Sequence, residues 1–173
     1  MDFSGWLNES SLNDLYNSVV DAYPNTEYRQ HSTDTIRITQ LSIIPFKGIK
    51  TLYFKGLAQN EGREYNTIIQ FKSVKYHEGN RPNTIKLIAD DGKIYYLERL
   101  SENNEVTVRC ECQDFYWRGV YANHLDKSLY GRNRKKYESL GIKGPVNPTN
   151  APMLCKHLIK LANSLEEAGI LLA

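Results

Sequence analysis

The chain has 173 residues, with 22 Lys and Arg against 20 Asp and Glu, for a net charge of +2. At that length one core can bury roughly 70% of the surface exposed on unfolding, so no disulfide scaffold is required. Hydrophobic residues make up 40%, charged residues 24%, and mean hydropathy is −0.55; no apolar run approaches the roughly 18 residues of a membrane span, which excludes a transmembrane or wholly disordered chain.

The start, Met1-Asp2-Phe3-Ser4-Gly5-Trp6, has neither a basic n-region nor an apolar h-region, so no secretory signal is expected and the site of action is placed in a cytoplasm or inside a particle. Leu12, Leu15, Tyr16, Val19, Val20 and Tyr23 then recur with the spacing of an amphipathic helix, which Ser10 or Ser11 can cap and Pro24 closes. From about Asp34 the period changes to two, and six strands are predicted, near 35–44, 49–57, 64–77, 84–89, 93–100 and 105–112. Asp90-Asp91-Gly92, set between Ile85–Ile88 and Ile94–Leu97, signals a hairpin.

Residues 113–153 hold six aromatics, mixed charge and the breaks Gly131, Gly141, Gly144-Pro145 and Asn147-Pro148, and read as an insertion or loop with a short helix over 135–140. Between 113 and 154 there are seven basic and three acidic side chains, a local surplus of four. Leu154, Leu158, Leu161, Ala162 and Leu165 define a second amphipathic helix that runs to about Gly169, with Pro152 suited to its first turn. The expected fold is α+β: an antiparallel sheet of about five or six strands, an N-terminal helix, and a metal-clamped C-terminal helix. It divides into a helix plus sheet over 1–112, an aromatic-basic insertion over 113–153 and the final helix over 154–173, all in one integrated domain.

All three cysteines fall in one arrangement, Cys110-Glu111-Cys112, then 42 residues, then Cys155-Lys156-His157. Three thiols cannot pair completely, and two cysteines one residue apart make a strained bridge. Three thiolates and an imidazole are the donors of a tetrahedral structural zinc site, so zinc is the expected cofactor. On a strand, Cys110 and Cys112 point to one face. On a helix, Cys155 and His157 would lie about 200° apart, so the helix must begin near Cys155. Ordinary buried cysteines with a satisfied histidine are the competing reading.

The C-x-C, gap, C-x-H spacing resembles the SWIM-type zinc finger, a β-strand pair leading into a helix, over about residues 93–166. Its ligands would be Cys110, Cys112, Cys155 and His157, and the resemblance implies binding to DNA or protein. The gap is long and holds the aromatic-basic stretch. The wider run Cys110–Arg118, with Asn147-Pro148 and Pro152–Leu158, is also similar to small proteins encoded by tailed phages, which implies a virion or host-cytoplasm setting.

With four natural ligands the site is expected to be closed, and no deaminase, H-E-x-x-H, phosphate-loop or nucleophile-elbow motif occurs, so no enzyme activity is expected. Glu111 should face away from the metal, Asp90 and Asp91 should serve a turn, and His31, His77 and His124 should be surface or satisfied histidines. Trp117, Arg118, Arg132, Arg134, Lys135 and Lys136 are the candidate partner-binding residues. Their partner is expected to be another protein of an assembly, with nucleic acid as the alternative through base stacking and phosphate contacts. Neither a membrane nor a small-molecule substrate is expected. Phe115, Trp117 and Tyr121 could instead pack beneath the metal site.

Overall fold

The computed structural model describes residues 10–23, 33–133, 147 and 149–172. Helix α1 (Leu12–Ala22) opens on a capping box, in which the Ser11 hydroxyl accepts from the Asp14 N–H and the Asp14 carboxylate accepts from the Ser11 N–H. Leu12, Leu15 and Val19 form its buried stripe, whereas Tyr16 is exposed. Pro24, expected to close this helix, lies outside the described residues, as does the helix expected over 135–140.

Strands β1 (Ile36–Phe46), β2 (Thr51–Asn60), β3 (Arg63–Phe71) and β8 (Val106–Cys110) form an antiparallel sheet in the order β1-β2-β3-β8. A smaller antiparallel sheet has the order β4-β6-β5, from β4 (Tyr76–His77), β5 (Thr84–Ile88) and β6 (Ile94–Glu98). The α+β, mostly antiparallel reading therefore stands, with the strands shared between a sheet of four and a sheet of three. The expected strand 64–77 divides into β3 and β4, because Ser73 takes a left-handed conformation (φ 54°) between them. Two short strands were not expected: β7 (Leu100–Ser101) and β9 (Leu171–Leu172), which pair in parallel and tie the end of the described chain back to the core.

The four-stranded sheet has a clear inner face. Along β2, Leu52, Phe54, Gly56, Ala58 and Asn60 are buried at alternate positions, and their partners continue the row, with Leu52 opposite Phe71 and Phe54 opposite Ile69. Helix α3 (Lys156–Glu167) lies on this face and buries Leu158, Leu161 and Leu165. Gly56 sets the approach: a Cβ there would lie 2.9 Å from the Leu161 side chain and 3.0 Å from that of Ile38. The helix ends as a Schellman turn, with Gly169 left-handed (φ 75°) and the Ile170 N–H donating to the Leu165 carbonyl (3.0 Å).

The stretch after Cys112 is helical, which the sequence reading did not anticipate. A π-helical turn (Phe115–Gly119) leads directly into α2 (Val120–Asp126). The chain then returns along the free edge of β8, where the Val108 N–H donates to the Ser128 carbonyl and the Tyr130 N–H to the Val108 carbonyl.

Candidate metal centre

Cys110 is the last residue of β8 and Cys112 follows two positions on, so both side chains leave the chain on the core side, as the strand period requires. Glu111, between them, points outward, and its carboxylate accepts from the Asn66 backbone N–H (3.1 Å) and side-chain amide (3.0 Å). The second pair sits where the helix argument demands. Cys155 is extended (φ −77°, ψ 167°) as the N-cap of α3, and His157 lies in its first turn. Pro152 stays in the extended lead-in, before the first turn in which it was expected, because the helix starts only after the cysteine.

The four donor atoms lie within 4.8 Å of one another, and all four residues are buried. His157 turns Nδ1 toward the sulfurs, 3.8 Å from Cys110 Sγ and 3.9 Å from Cys155 Sγ. Tetrahedral bonds of about 2.0–2.3 Å place ligand atoms roughly 3.6–3.8 Å apart, so this cluster can hold a metal ion with little adjustment. No disulfide joins the cysteines.

Two helical segments begin at the cluster. The Cys112 carbonyl accepts from the Tyr116 N–H (3.0 Å) and its sulfur from the Phe115 N–H (3.3 Å), so this cysteine acts as the cap of the helical stretch that follows. Cys155 caps α3. The partial positive charge of both helix starts favours thiolate. The thiols of Cys110 and Cys155, aided by His157 and the Phe115 N–H, hold Cys112 far below the ordinary thiol range, whereas burial above all pushes Cys110 and Cys155 well up. Burial thus opposes the ionisation of all three thiols side by side. A divalent cation held by these four residues would let all three thiols ionise, and with neutral imidazole the centre would carry one net negative charge.

Arg118 lies close enough to Cys112 and Cys155 to feel their charge. Its guanidinium pairs with Asp114 and stands 4.9 Å over the Tyr23 ring at the end of α1. Burial lowers the Arg118 pKa and raises that of Tyr23, and the contact between the two opposes both shifts.

Two buried asparagines close the frame: Asn123, which no motif marks in the sequence, and Asn147, which stands there only in the Asn147-Pro148 break and gives no sign of its contacts. The Asn123 amide donates to the Met153 carbonyl (2.9 Å) and accepts from the Met153 N–H (2.8 Å), pinning α2 to the lead-in of α3. Asn147 donates to the carbonyls of Arg118 (2.9 Å) and Ala151 (3.0 Å). The two ligand pairs are thus held together by protein contacts as well as by their shared donor geometry. Tyr65 packs its ring 4.6 Å from that of His157.

Of the candidate partner residues, Trp117, Arg118 and Arg132 are among the described residues, and they differ in exposure and contacts. Trp117 is 41% exposed, donates from Nε1 to the Gln113 side chain (2.9 Å) and meets the exposed Tyr116 edge to face. Arg118 is turned inward to the contacts above. Arg132 is exposed, and its carbonyl accepts from the Arg109 guanidinium (2.7 Å). Arg134, Lys135 and Lys136 lie outside the described residues. Of the aromatics that could pack beneath the centre, Phe115 does so and is fully buried, whereas Trp117 does not. His77 faces Glu98 (3.3 Å), His124 is exposed near the end of α2, and His31 lies outside the described residues.

No helix among the described residues is long and apolar enough to cross a membrane. No protein-family model matches this chain, and neither the curated proteins nor the solved structures yield a match.

Proposed function

We propose that this chain is a non-enzymatic protein stabilised by one structural zinc ion, and that it works through contacts with other proteins of an assembly. The observation that carries the zinc reading is the buried Cys110, Cys112, Cys155 and His157 cluster, which supplies four soft or borderline donors at tetrahedral spacing. Four protein ligands leave no position for a reacting water, so the ion's role is to clamp α3 to the end of β8. The arrangement, a C-x-C at a strand end and a C-x-H at a helix start, is the one the SWIM-type resemblance implies. A virion or host-cytoplasm setting is part of the same proposal.

The partner face we assign is the outer side of the helical stretch that begins at Cys112. Tyr116, Trp117 and Leu125 are all exposed there, and large aromatics beside apolar residues are typical anchors of protein contacts. The fixed start of that stretch at a metal ligand gives the aromatic pair a rigid base.

Elemental analysis of native protein should find about one zinc per chain, and a stably folded, metal-free chain with reduced cysteines would refute the site. For the partner, the protein should give no salt-sensitive band shift with DNA or RNA. It should associate with itself or with particles in a way that Trp117→Ala weakens. A shift that fades steeply with salt, and that is lost on changing Arg132, Arg134, Lys135 and Lys136 to Gln, would replace the protein-contact reading with nucleic-acid binding.

A further inference from the structure

The imidazole of His157 has two nitrogens, and the structure gives each a different neighbour. Nδ1 faces the sulfurs, whereas Nε2 faces the buried side-chain amide of Asn60, 3.4 Å away at the end of β2. Asn60 is held in turn by Thr35, whose hydroxyl donates to its Oδ1 (2.8 Å). Its position follows from the sheet, since it closes the inner row of β2 opposite Ile36 and Arg63 and points into the core beside the centre.

Hydrogen-bond arithmetic fixes the direction of this contact. Where Nδ1 binds a metal ion, neutral imidazole keeps its proton on Nε2 and must donate there. The Asn60 amide nitrogen is the atom that stands 3.4 Å from Nε2, so its oxygen meets that proton once the amide turns. Turning the amide by 180° exchanges its oxygen and nitrogen with almost no change of shape. Oδ1 then accepts from Nε2–H, and Nδ2 donates to the Thr35 oxygen, whose hydroxyl rotates to allow it. A buried donor left without an acceptor at this point would be costly.

We infer that Asn60 is the positioning residue of the metal centre, its amide oxygen accepting the Nε2 proton of metal-bound His157 while its amide nitrogen donates to Thr35. The inference rests on the zinc reading above. Ligating histidines commonly donate their second N–H to such a partner, and its loss typically costs 10–100-fold in metal affinity.

Zinc affinity of the full chain, measured by chelator competition, tests this. Asn60→Leu, similar in size and without an acceptor, should bind zinc about 10–100-fold more weakly. Asn60→Asp, which still accepts, should recover most of that loss. In the wild-type protein with zinc bound, nitrogen NMR of the His157 ring should show a proton on Nε2 bonded to the Asn60 carbonyl. This second measurement needs no variant, so it decides the matter even where Asn60→Leu fails to fold. Zinc affinity of Asn60→Leu equal to wild type, or an Nε2 proton not bonded to Asn60 in the loaded protein, overturns the inference while the zinc reading stands. A wild-type chain that binds no zinc overturns both.

Discussion

The two ends of the molecule are held by different means. At one end, Cys110 and Cys112 meet Cys155 and His157 across 42 intervening residues, through ligand geometry and the Asn123–Met153 bonds. At the other, the β5–β6 hairpin is closed within five residues. The Ala89 N–H donates to the Lys93 carbonyl (3.0 Å) and the Gly92 N–H to the Ala89 carbonyl (2.9 Å), with Gly92 left-handed (φ 79°). Closing a long loop costs more entropy than closing a short one, and a cluster of strong ligands is a local device that can offset that cost. The hairpin needs only suitable turn residues. Damage at the metal end should therefore spread through the core, whereas damage at the turn should remain local.

The largest expected effect comes from Cys112→Ser. It removes a ligand and also the sulfur that caps the following helical stretch, so we expect a loss of about 4 kcal/mol or more, with melting lowered by roughly 8–16 °C. A chelator should reproduce most of this in the wild-type protein and little of it in the variant. Next comes Gly56→Val, which leaves all four ligands intact but forces α3 off the sheet at Leu161. Overpacking of this kind costs about 1–3 kcal/mol, or roughly 2–12 °C, and should weaken zinc binding as well, because α3 carries Cys155 and His157. Normal zinc affinity in a destabilised Gly56→Val protein would show that the clamp does not depend on the seating of α3.

Much of this contrast can be read from the residues. The two-residue spacing of Cys110 and Cys112 fits a strand face, and the same spacing in Cys155 and His157 excludes a regular helix through both, which located the start of α3. The Asp-Asp-Gly turn follows from chemistry that acts within a few positions. What stayed hidden is non-local or masked by residue type. The division of strands between two sheets, and the parallel pairing of Leu100 with Leu171, depend on partners far away in sequence. The helical stretch after Cys112 escaped notice although Phe115, Gly119, Ala122 and Asn123 are buried at steps of four, three and one. Two of the four are Gly and Asn, which read as loop residues, and the exposed Tyr116 and Trp117 beside them blur the apolar stripe. Asn60 and Asn123 resemble surface residues by type, and only the fold turns them toward His157 and Met153.

The smallest effect is expected at the hairpin tip. Asp91 accepts from the Lys93 N–H (2.9 Å) and from the Tyr95 hydroxyl (3.0 Å), and the Lys93 bond, more than the tyrosine, lowers its pKa. A carboxyl depressed in this way adds stability above its unfolded pKa, and that contribution is lost as the pH falls through the lower folded value. Asp91→Asn keeps an oxygen for Lys93 and still suits a turn, but it removes the charge and with it this acid-dependent contribution. We therefore expect melting near neutral pH to move by less than about 2 °C, zinc affinity to be unchanged, and the difference from wild type to vanish in acid. Asp90 guards against a trivial outcome, since its own carboxylate accepts from the Ile43 N–H (2.9 Å) and keeps the hairpin on β1 in the variant. A melting shift for Asp91→Asn as large as that for Cys112→Ser would mean that the two ends unfold as one unit, with the turn as firmly coupled to the core as the metal ligands are.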